Sequence, residues 1–355
     1  RQLAAGVERL LVPIQVPGLE RSAYSASGEH IVLHSLGAEE PAITEAFVLP
    51  LDGSDVAARL TDATLYGMYE SFSPDGKLFA GTVVVTDDQQ MRHPNVIVKD
   101  LGGKELLNVP DAFLVSFTAD SKTILAISLD PADNTGSIIS IAVADGTQTV
   151  LVEEAGSNTP LIAPDGKSFF YLNDTAETPG LYRVAIASGE SSLFYAPEGE
   201  TTLIAMIGLS ADGKQIMSYE TDPSQAAGPS LTLVDVASGK AAAVDTNLYS
   251  NALSPYLGWQ SSPAVFSADG KWLAYQVAGE TFPELRVSQI DGQGKATLTT
   301  AGEYPQFDFT ANGKQVVYIV GTTLGEGNRV WTGDLYVSGL DGQNPVKLDS
   351  NVSSF

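Results

Sequence analysis

Apolar residues along this chain come in short runs separated by polar turns, and one phrase of that pattern recurs. An apolar pair is followed by Ser/Thr-Pro/Ala-Asp-Gly-Lys and then by an apolar strand. The phrase reads SFSPDGKLFAG at 71–81, SFTADSKTILAI at 116–127, LIAPDGKSFFYL at 161–172 and GLSADGKQIMSY at 208–219. It returns as VFSADGKWLAYQ at 265–276 and DFTANGKQVVYI at 307–318, with a degenerate copy, AYSASGEHIVLH, at 23–34. Marked by the Asp position (Ser27, Asp75, Asp120, Asp165, Asp212, Asp269 and Asn312), successive copies are 48, 45, 45, 47, 57 and 43 residues apart. A period in the forties with several strands per unit predicts a four-stranded propeller blade.

The second copy displays the unit. Pro74 presets a turn dihedral, Asp75 caps the turn locally, and Gly76 accepts positive φ. Glu70–Phe72 supplies a short inner strand before this turn, and Leu78–Val85 the second strand after it. NVIVKD at 95–100 reads as a third strand, and Leu101-Gly102-Gly103 turns the chain into a fourth at Glu105-Leu106-Leu107. The same third-strand, turn, fourth-strand sequence recurs as LYRVAIASGESSLFY (181–195), LTLVDVASGKAAAVD (231–245), LRVSQIDGQGKATLT (285–299) and LYVSGLDGQNPVKLD (335–349). These strands are apolar almost throughout, as sheets stacked face to face and buried on both sides require.

The predicted fold is therefore all-β: a seven-bladed β-propeller of four-stranded antiparallel blades around a central channel. Residues 21–355 form one domain, with blades near 21–62, 66–110, 111–154, 157–197, 202–246, 261–301 and 304–349. Within the opening segment, 1–20, LAAGVERLL (Leu3 to Leu11) fits a turn or two of helix or a strand that closes the ring.

The spacing and the SPDGK-type turns resemble the TolB-like β-propeller repeat, a family that includes the propellers of prolyl-oligopeptidase-type and dipeptidyl-peptidase-type enzymes. The resemblance covers about residues 21 to 349 and speaks for the fold, since propellers of this type serve as envelope scaffolds, peptidase gates and ligand binders. It implies an extracytoplasmic setting, periplasm or cell surface. Two copies depart from the pattern: Ser121 replaces the turn Gly and Ser27 the turn Asp, so both turns are expected to form at some cost. WD-repeat signatures and a correctly spaced sialidase Asp-box are absent.

Charge narrows the function. With 19 Lys+Arg against 43 Asp+Glu the formal net charge is -24, a field that repels nucleic acid and anionic lipid alike. Charged residues make up only 17% and hydrophobic ones 43%, so this is not an acidic disordered tail. Without cysteine, disulfides, thiolate metal sites and cysteine nucleophiles are excluded. No run of 18 apolar residues predicts a membrane span. A start at Arg1 reads as a trimmed mature or recombinant end that hides any export signal or lipid anchor.

Candidate chemistry is sparse. No G-x-S-x-G elbow occurs, and no residues are left over for an α/β-hydrolase domain. Of the three histidines, His30 and His34 flank one strand and read as surface or packing residues, while His93 falls in the loop QQMRHPN and is expected to be solvated. No cofactor is implied. LDPADNTG (129–136) offers Asp130, Asp133 and Asn134 to calcium but lacks the alternating spacing of an EF-hand-like loop.

Acids gather where the second and third strands of each blade are joined. Those loops carry Glu39 and Glu40, Asp87 and Asp88, Asp130 and Asp133, and Asp174 and Glu177. Glu220 and Asp222, Glu280 and Glu326 continue the series, predicting an acidic rim at the channel mouth. Two long connections, TNLYSNALSPYLGWQ (246–260) and GTTLGEGNRVWTG (321–333), bring Tyr249, Tyr256, Trp259, Arg329 and Trp331 to the same predicted face. Aromatics with an Arg dominate binding hot spots, although the same rings could plug the channel or cover a blade edge. Tyr69 and Tyr304, just before inner strands, fit the channel entrance or ordinary packing.

The expected function is a non-catalytic scaffold or subunit of a bacterial cell-envelope complex, docking a basic protein or peptide on its acidic, aromatic-bearing loops. Neither nucleic acid nor direct membrane insertion is expected, and oligomeric state stays open. Two alternatives stand beside it: a propeller-borne lyase, lactonase or glycosidase using rim carboxylates or a metal, and the gating propeller of a larger peptidase.

Overall fold

The computed structural model describes residues 22–24, 29–36, 44–50, 58–61, 65–88, 91–130, 135–155, 159–163, 165–198, 202–222, 228–249, 264–300, 306–324 and 331–352. Among them the regular structure is entirely strand. The chain divides into two compact units, Arg1–Ser157 and Asn158–Phe355.

The first unit holds three four-stranded sheets. Sheet 1 is β1 (Ser22–Tyr24), β2 (His30–Leu36), β3 (Thr44–Pro50) and β4 (Ala58–Thr61). Sheet 2 is β5 (Leu65–Phe72), β6 (Leu78–Thr86), β7 (Arg92–Asp100) and β8 (Glu105–Val109). Sheet 3 is β9 (Ala112–Phe117), β10 (Thr123–Leu129), β11 (Gly136–Ala142) and β12 (Gln148–Val152).

Four more sheets make up the second unit. Sheet 4 is β13 (Leu161–Ile162), β14 (Ser168–Asn173), β15 (Gly180–Ala185) and β16 (Ser191–Tyr195). Sheet 5 is β17 (Thr202–Leu209), β18 (Gln215–Thr221), β19 (Ser230–Asp235) and β20 (Ala241–Asp245). Sheet 6 is β21 (Ala264–Phe266), β22 (Trp272–Val277), β23 (Glu284–Gln289) and β24 (Ala296–Thr299). Sheet 7 is β25 (Phe307–Phe309), β26 (Gln315–Leu324), β27 (Trp331–Gly339) and β28 (Val346–Val352). Every sheet is an antiparallel meander of consecutive strands, the seven-bladed β-propeller pattern the repeat predicts. The stretch 3–11 lies outside the described residues; the fourth strand of sheet 7 is its own β28.

The recurring phrase builds one turn six times. Ser73, Thr118, Ala163, Ser210, Ser267 and Thr310 each donate a backbone N–H to the carbonyl five residues on, all at 2.9 Å. The motif hydroxyl donates to the carboxylate two residues later, at 2.7 Å for Ser73–Asp75, Thr118–Asp120 and Ser267–Asp269 and 2.8 Å for Ser210–Asp212. That carboxylate also accepts the lysine amide, as in Lys122 to Asp120 at 2.9 Å. The hydroxyl-bearing residues Ser73, Thr118, Ser210 and Ser267 are buried, so these bonds satisfy groups that water cannot reach. Left-handed backbone falls on Gly76, Gly166, Gly213, Gly270 and Gly313, with φ between 63° and 69°. In sheet 3 it falls on Ser121 (φ 60°), whose Oγ accepts the backbone N–H of Asp75 in the preceding turn at 3.0 Å. The non-glycine turn is therefore tied to its neighbour, an interaction that offsets its strain.

Second strands are buried on both faces. Phe79–Val84, Ile124–Ile127, Ser168–Leu172, Ile216–Glu220 and Leu273–Val277 are continuous buried runs. Phe79 and Ile97 of sheet 2 pack with Val32 and Val48 of sheet 1, and Val96 and Val98 pack with Leu114, Ile124 and Ile139 of sheet 3. In the second unit, Phe170 and Leu181 meet Ile216 and Val234, Tyr219 and Leu231 meet Leu273 and Tyr275, and Val287 meets Val316 and Tyr318. A fully buried Phe or Leu contributes roughly 1.5–3 kcal/mol of transfer free energy, so these seams dominate the stability. The fourth strand slips by one residue against the third in every sheet, and sheet 7 slips a second time between Asp349 and Val352. The extra residue is Leu60, Leu106, Leu151, Phe194, Val244, Leu298 and Leu348 in turn, each a β-bulge.

Candidate functional site

Antiparallel order fixes which charges share an end of a blade. The first-to-second and third-to-fourth turns lie at one end of each sheet, and the second-to-third loop lies at the other. Every lysine of the sequence falls at the turn end. Lys77, Lys122, Lys167, Lys214, Lys271 and Lys314 occupy the repeated turns, and Lys99, Lys104, Lys240, Lys295 and Lys347 lie in or beside the third-to-fourth turns. Several are paired there with the turn carboxylate: Lys214 with Asp212 at 2.8 Å, Lys77 with Asp75 at 3.5 Å and Lys271 with Asp269 at 3.6 Å. The lysine contact, with hydrogen bonds from Ser210 and the Lys214 amide, pulls Asp212 down to about 2.

The loop end is acidic. Asp88 (after β6), Asp130 (after β10), Asp174 (after β14) and Glu280 (after β22) are exposed, and Asp222, following β18, is half-buried. Described cations near these ends are Arg92, and Arg286 partway along β23, which is engaged by Glu284 at 2.7 Å and Asp245 at 3.3 Å. Charge is thus sorted lengthwise along the blades.

His93 departs from the expectation of a solvated loop residue: it lies in β7, paired in register with Val85, and is half-buried. Its Nδ1 is 2.9 Å from Asp111 Oδ1 and its Nε2 is 3.3 Å from Asp87 Oδ2. Hydrogen bonds to Asp111 and then Asp87 raise its titration above the ordinary histidine range, against a smaller desolvation effect. Asp111, at the entry to β9, has φ 51°.

Glu220 is also placed differently from the reading above. It lies within β18, 7% exposed, rather than in a rim loop. The Tyr195 hydroxyl of sheet 4 reaches both its oxygens, at 3.1 and 3.2 Å, and Ser218 Oγ donates at 3.2 Å. Burial pushes the Glu220 carboxyl up, more than the bonds from Tyr195, Ser218 and Thr232 pull it down. Burial and then the nearby Glu220 charge push the Tyr195 hydroxyl up. The repeat carried a signal for this: counted from the turn aspartates, Glu220 aligns with Val277, a core residue.

A mirrored arrangement joins sheets 5 and 6. Asp245 stands where Tyr195 does relative to the turn glycines Gly189 and Gly239, and it accepts from the Tyr275 hydroxyl of β22 at 2.9 Å. The Thr246 amide donates to it at 2.9 Å, and Lys295 and Arg286 approach at 3.4 and 3.3 Å. Desolvation raises its pKa, but these partners together hold it below the usual carboxylate value. Sequence reasoning missed this network because each member is unremarkable within its own repeat.

The aromatic candidates are only partly placed. Tyr249 is half-buried, its backbone N–H donating to Gln276 O at 3.2 Å, beside a bridge between Leu248 and Val277. Leu248 itself is buried in the seam between sheets 5 and 6, so this part of the long connection packs against the blade. The predicted loop 321–333 is strand at both ends, with Leu324 paired to Trp331. Tyr256, Trp259, Arg329 and Asp133 lie outside the described residues, as do Glu39, Glu40, Glu326 and Tyr304; the side chains of Trp331 and Tyr69 do too. Among the described residues no group of three or more His, Asp or Glu converges as a metal site.

Neither a family model nor a curated protein matches the chain. Solved structures do. The chain superposes with a TM-score of 0.63 on a structure from a study of two prolyl endopeptidases, at 13% identity, covering 94% of this chain and 50% of that one. This chain therefore spans about half the length of that enzyme. The β-propeller domain of the Trilobed protease from Pyrococcus furiosus matches with a TM-score of 0.53 at 12% identity over 94% of this chain and 98% of that one. TolB from Acinetobacter baumannii is more loosely similar, with a TM-score of 0.42 and 16% identity over 93% and 82%. At the level of fold, the chain is a β-propeller, similar to the propeller domain of the Trilobed protease and to the prolyl endopeptidase structure.

Proposed function

We propose that this protein is a non-catalytic propeller of a bacterial cell envelope, outside the cytoplasm, that docks a protein partner with a basic surface on the acidic loop ends of its blades. The observation that carries the reading is the lengthwise sorting of charge: exposed Asp88, Asp130, Asp174 and Glu280 at the loop ends, and every lysine at the turn ends. Such a gradient orients an approaching cation toward the loops and raises its encounter rate. The paired lysines and turn aspartates nearly cancel, so the turn ends offer an anion little in return. The resemblance of the repeats to the TolB-like family supports the setting and the scaffold role.

The test is calorimetry with a lysine-rich peptide at low and high salt. Reversing Asp88, Asp130, Asp174 and Glu280 to Lys should abolish binding, whereas reversing Lys122, Lys167 and Lys314 to Glu should leave it within about twofold. Affinity should fall steeply with salt, since exposed charges are screened beyond a Debye length of about 8–10 Å. Equal loss from both sets of reversals, or a salt-insensitive affinity, would refute the reading. So would robust turnover of an ester, glycoside or peptide that a single loop-end substitution abolishes.

A further inference from the structure

We propose that His93 is a proton-operated clasp that ties the β6–β7 loop of sheet 2 to the entry of sheet 3 and so sets the arrangement of an acidic loop end. The link to partner binding rests on the docking reading above; the clasp does not.

Both ring nitrogens face carboxylate oxygens, Nδ1 toward Asp111 at 2.9 Å and Nε2 toward Asp87 at 3.3 Å. A neutral imidazole carries one N–H and can donate to only one of them; the imidazolium donates to both. When the proton leaves, one carboxylate is set against a ring lone pair, and the longer contact, to Asp87, is the one that yields. The two acids are anchored differently. The Asp111 carbonyl accepts the Leu129 N–H at 2.8 Å, which fixes it to the end of β10. Asp87 organises its own loop, its Oδ1 accepting the Met91 N–H at 2.8 Å and its N–H donating to Met91 O at 2.9 Å. Release of Asp87 therefore acts on the loop rather than on the sheet.

The charged groups around the ring come from three places. Asp87 and the exposed Asp88 belong to the β6–β7 loop, the exposed Arg92 is its neighbour on β7, and Asp111 and the exposed Asp130 flank β9 and β10. At 35% side-chain exposure the ring exchanges its proton with solvent directly. Closed, the cluster of two carboxylates and one imidazolium has a net charge of about -1; open, it has about -2, so a cationic partner meets a stronger field above the transition.

The experiment is a pH titration of the imidazole carbon-bound protons by two-dimensional NMR. With three histidines in the chain, His93 is assigned by its loss in His93→Gln. Its midpoint should lie above about 6.5, the ordinary value. Asp111→Asn should lower that midpoint, and Asp87→Asn should lower it less. Hydrogen exchange at the Met91 amide, taken relative to His93→Gln at each pH, should accelerate as pH rises through the midpoint. A midpoint at or below about 6.5, or the same Met91 exchange profile in wild type and His93→Gln, would overturn the clasp. Both measurements use the free protein, so their failure leaves the docking reading standing, and a lost peptide affinity leaves the clasp standing.

Discussion

Ser121 lets the strain of a turn be separated from the bond that compensates it. The residue takes φ 60° where the other copies of the turn have glycine, and its Oγ accepts the Asp75 N–H at 3.0 Å. A left-handed conformation costs a non-glycine residue roughly 1–2 kcal/mol. A typical hydrogen bond returns about 0.5–1.5 kcal/mol net. Ser121→Ala keeps the strain and loses the bond, so it should destabilise by about 1 kcal/mol. Ser121→Gly loses the bond but also the strain, so it should lie within about 0.5 kcal/mol of wild type, although glycine is the residue the repeat prefers. The glycine of another copy of the turn has space for a side chain, since a Cβ on Gly313 in sheet 7 would stand 3.6 Å from Ser267, an ordinary contact. All three tryptophans lie in the second unit, so unfolding of the first is better followed by far-ultraviolet circular dichroism in urea, comparing midpoints at constant slope. Exchange at the Asp75 amide should quicken in both variants. If Ser121→Gly gains the full 1–2 kcal/mol while Asp75 exchange is unchanged, the tie between the turns has no energetic value and the argument fails.

Glu220→Gln should stabilise the protein at neutral pH, because a raised carboxyl pKa means the folded state prefers the protonated form. That penalty grows as pH rises past the unfolded value and is complete above the folded one, so the gain should vanish below about pH 4 in thermal melts. Asp245→Asn should cost about 1–2 kcal/mol, discounted for the partly exposed Arg286, and Tyr275→Phe about 1.5 kcal/mol. The double variant should lose less than the sum, since both remove one contact; strict additivity would place the two residues outside a common network. With its pKa depressed, the Asp245 contribution is present above about pH 3.9 and disappears as pH falls through the lower folded value.

Most of the architecture was legible because the repeat reports a local event. A buried hydroxyl, a carboxylate two residues later and a residue tolerant of positive φ close the same hairpin wherever they occur, and the apolar runs after it lack the alternation of a one-faced sheet. Sequence fell short where strand ends and partners matter. Glu220 looked like a loop acid because the strand seemed to stop before it, yet β18 runs on through Thr221 and the Glu220 carboxylate meets Tyr195 of sheet 4. His93 looked solvated because Pro94 and Arg92 beside it resemble a loop, whereas β6 and β7 are longer than their counterparts in most other sheets. Its partner Asp111 lies 18 residues on, on the next blade, a proximity that no local pattern encodes.

The dislocation in each fourth strand has a consequence for how this molecule can be recruited. An outer strand normally offers a regular ladder of amides and carbonyls on which a foreign peptide can zip, and on which identical copies can polymerise. Here that ladder is broken in every sheet by at least one supernumerary residue, which kinks the flank and throws later positions out of phase. Even sheet 7, whose flank leaves Val346 and Leu348 bare, is interrupted at Leu348 itself. Lateral fusion of blades into fibres is thereby discouraged.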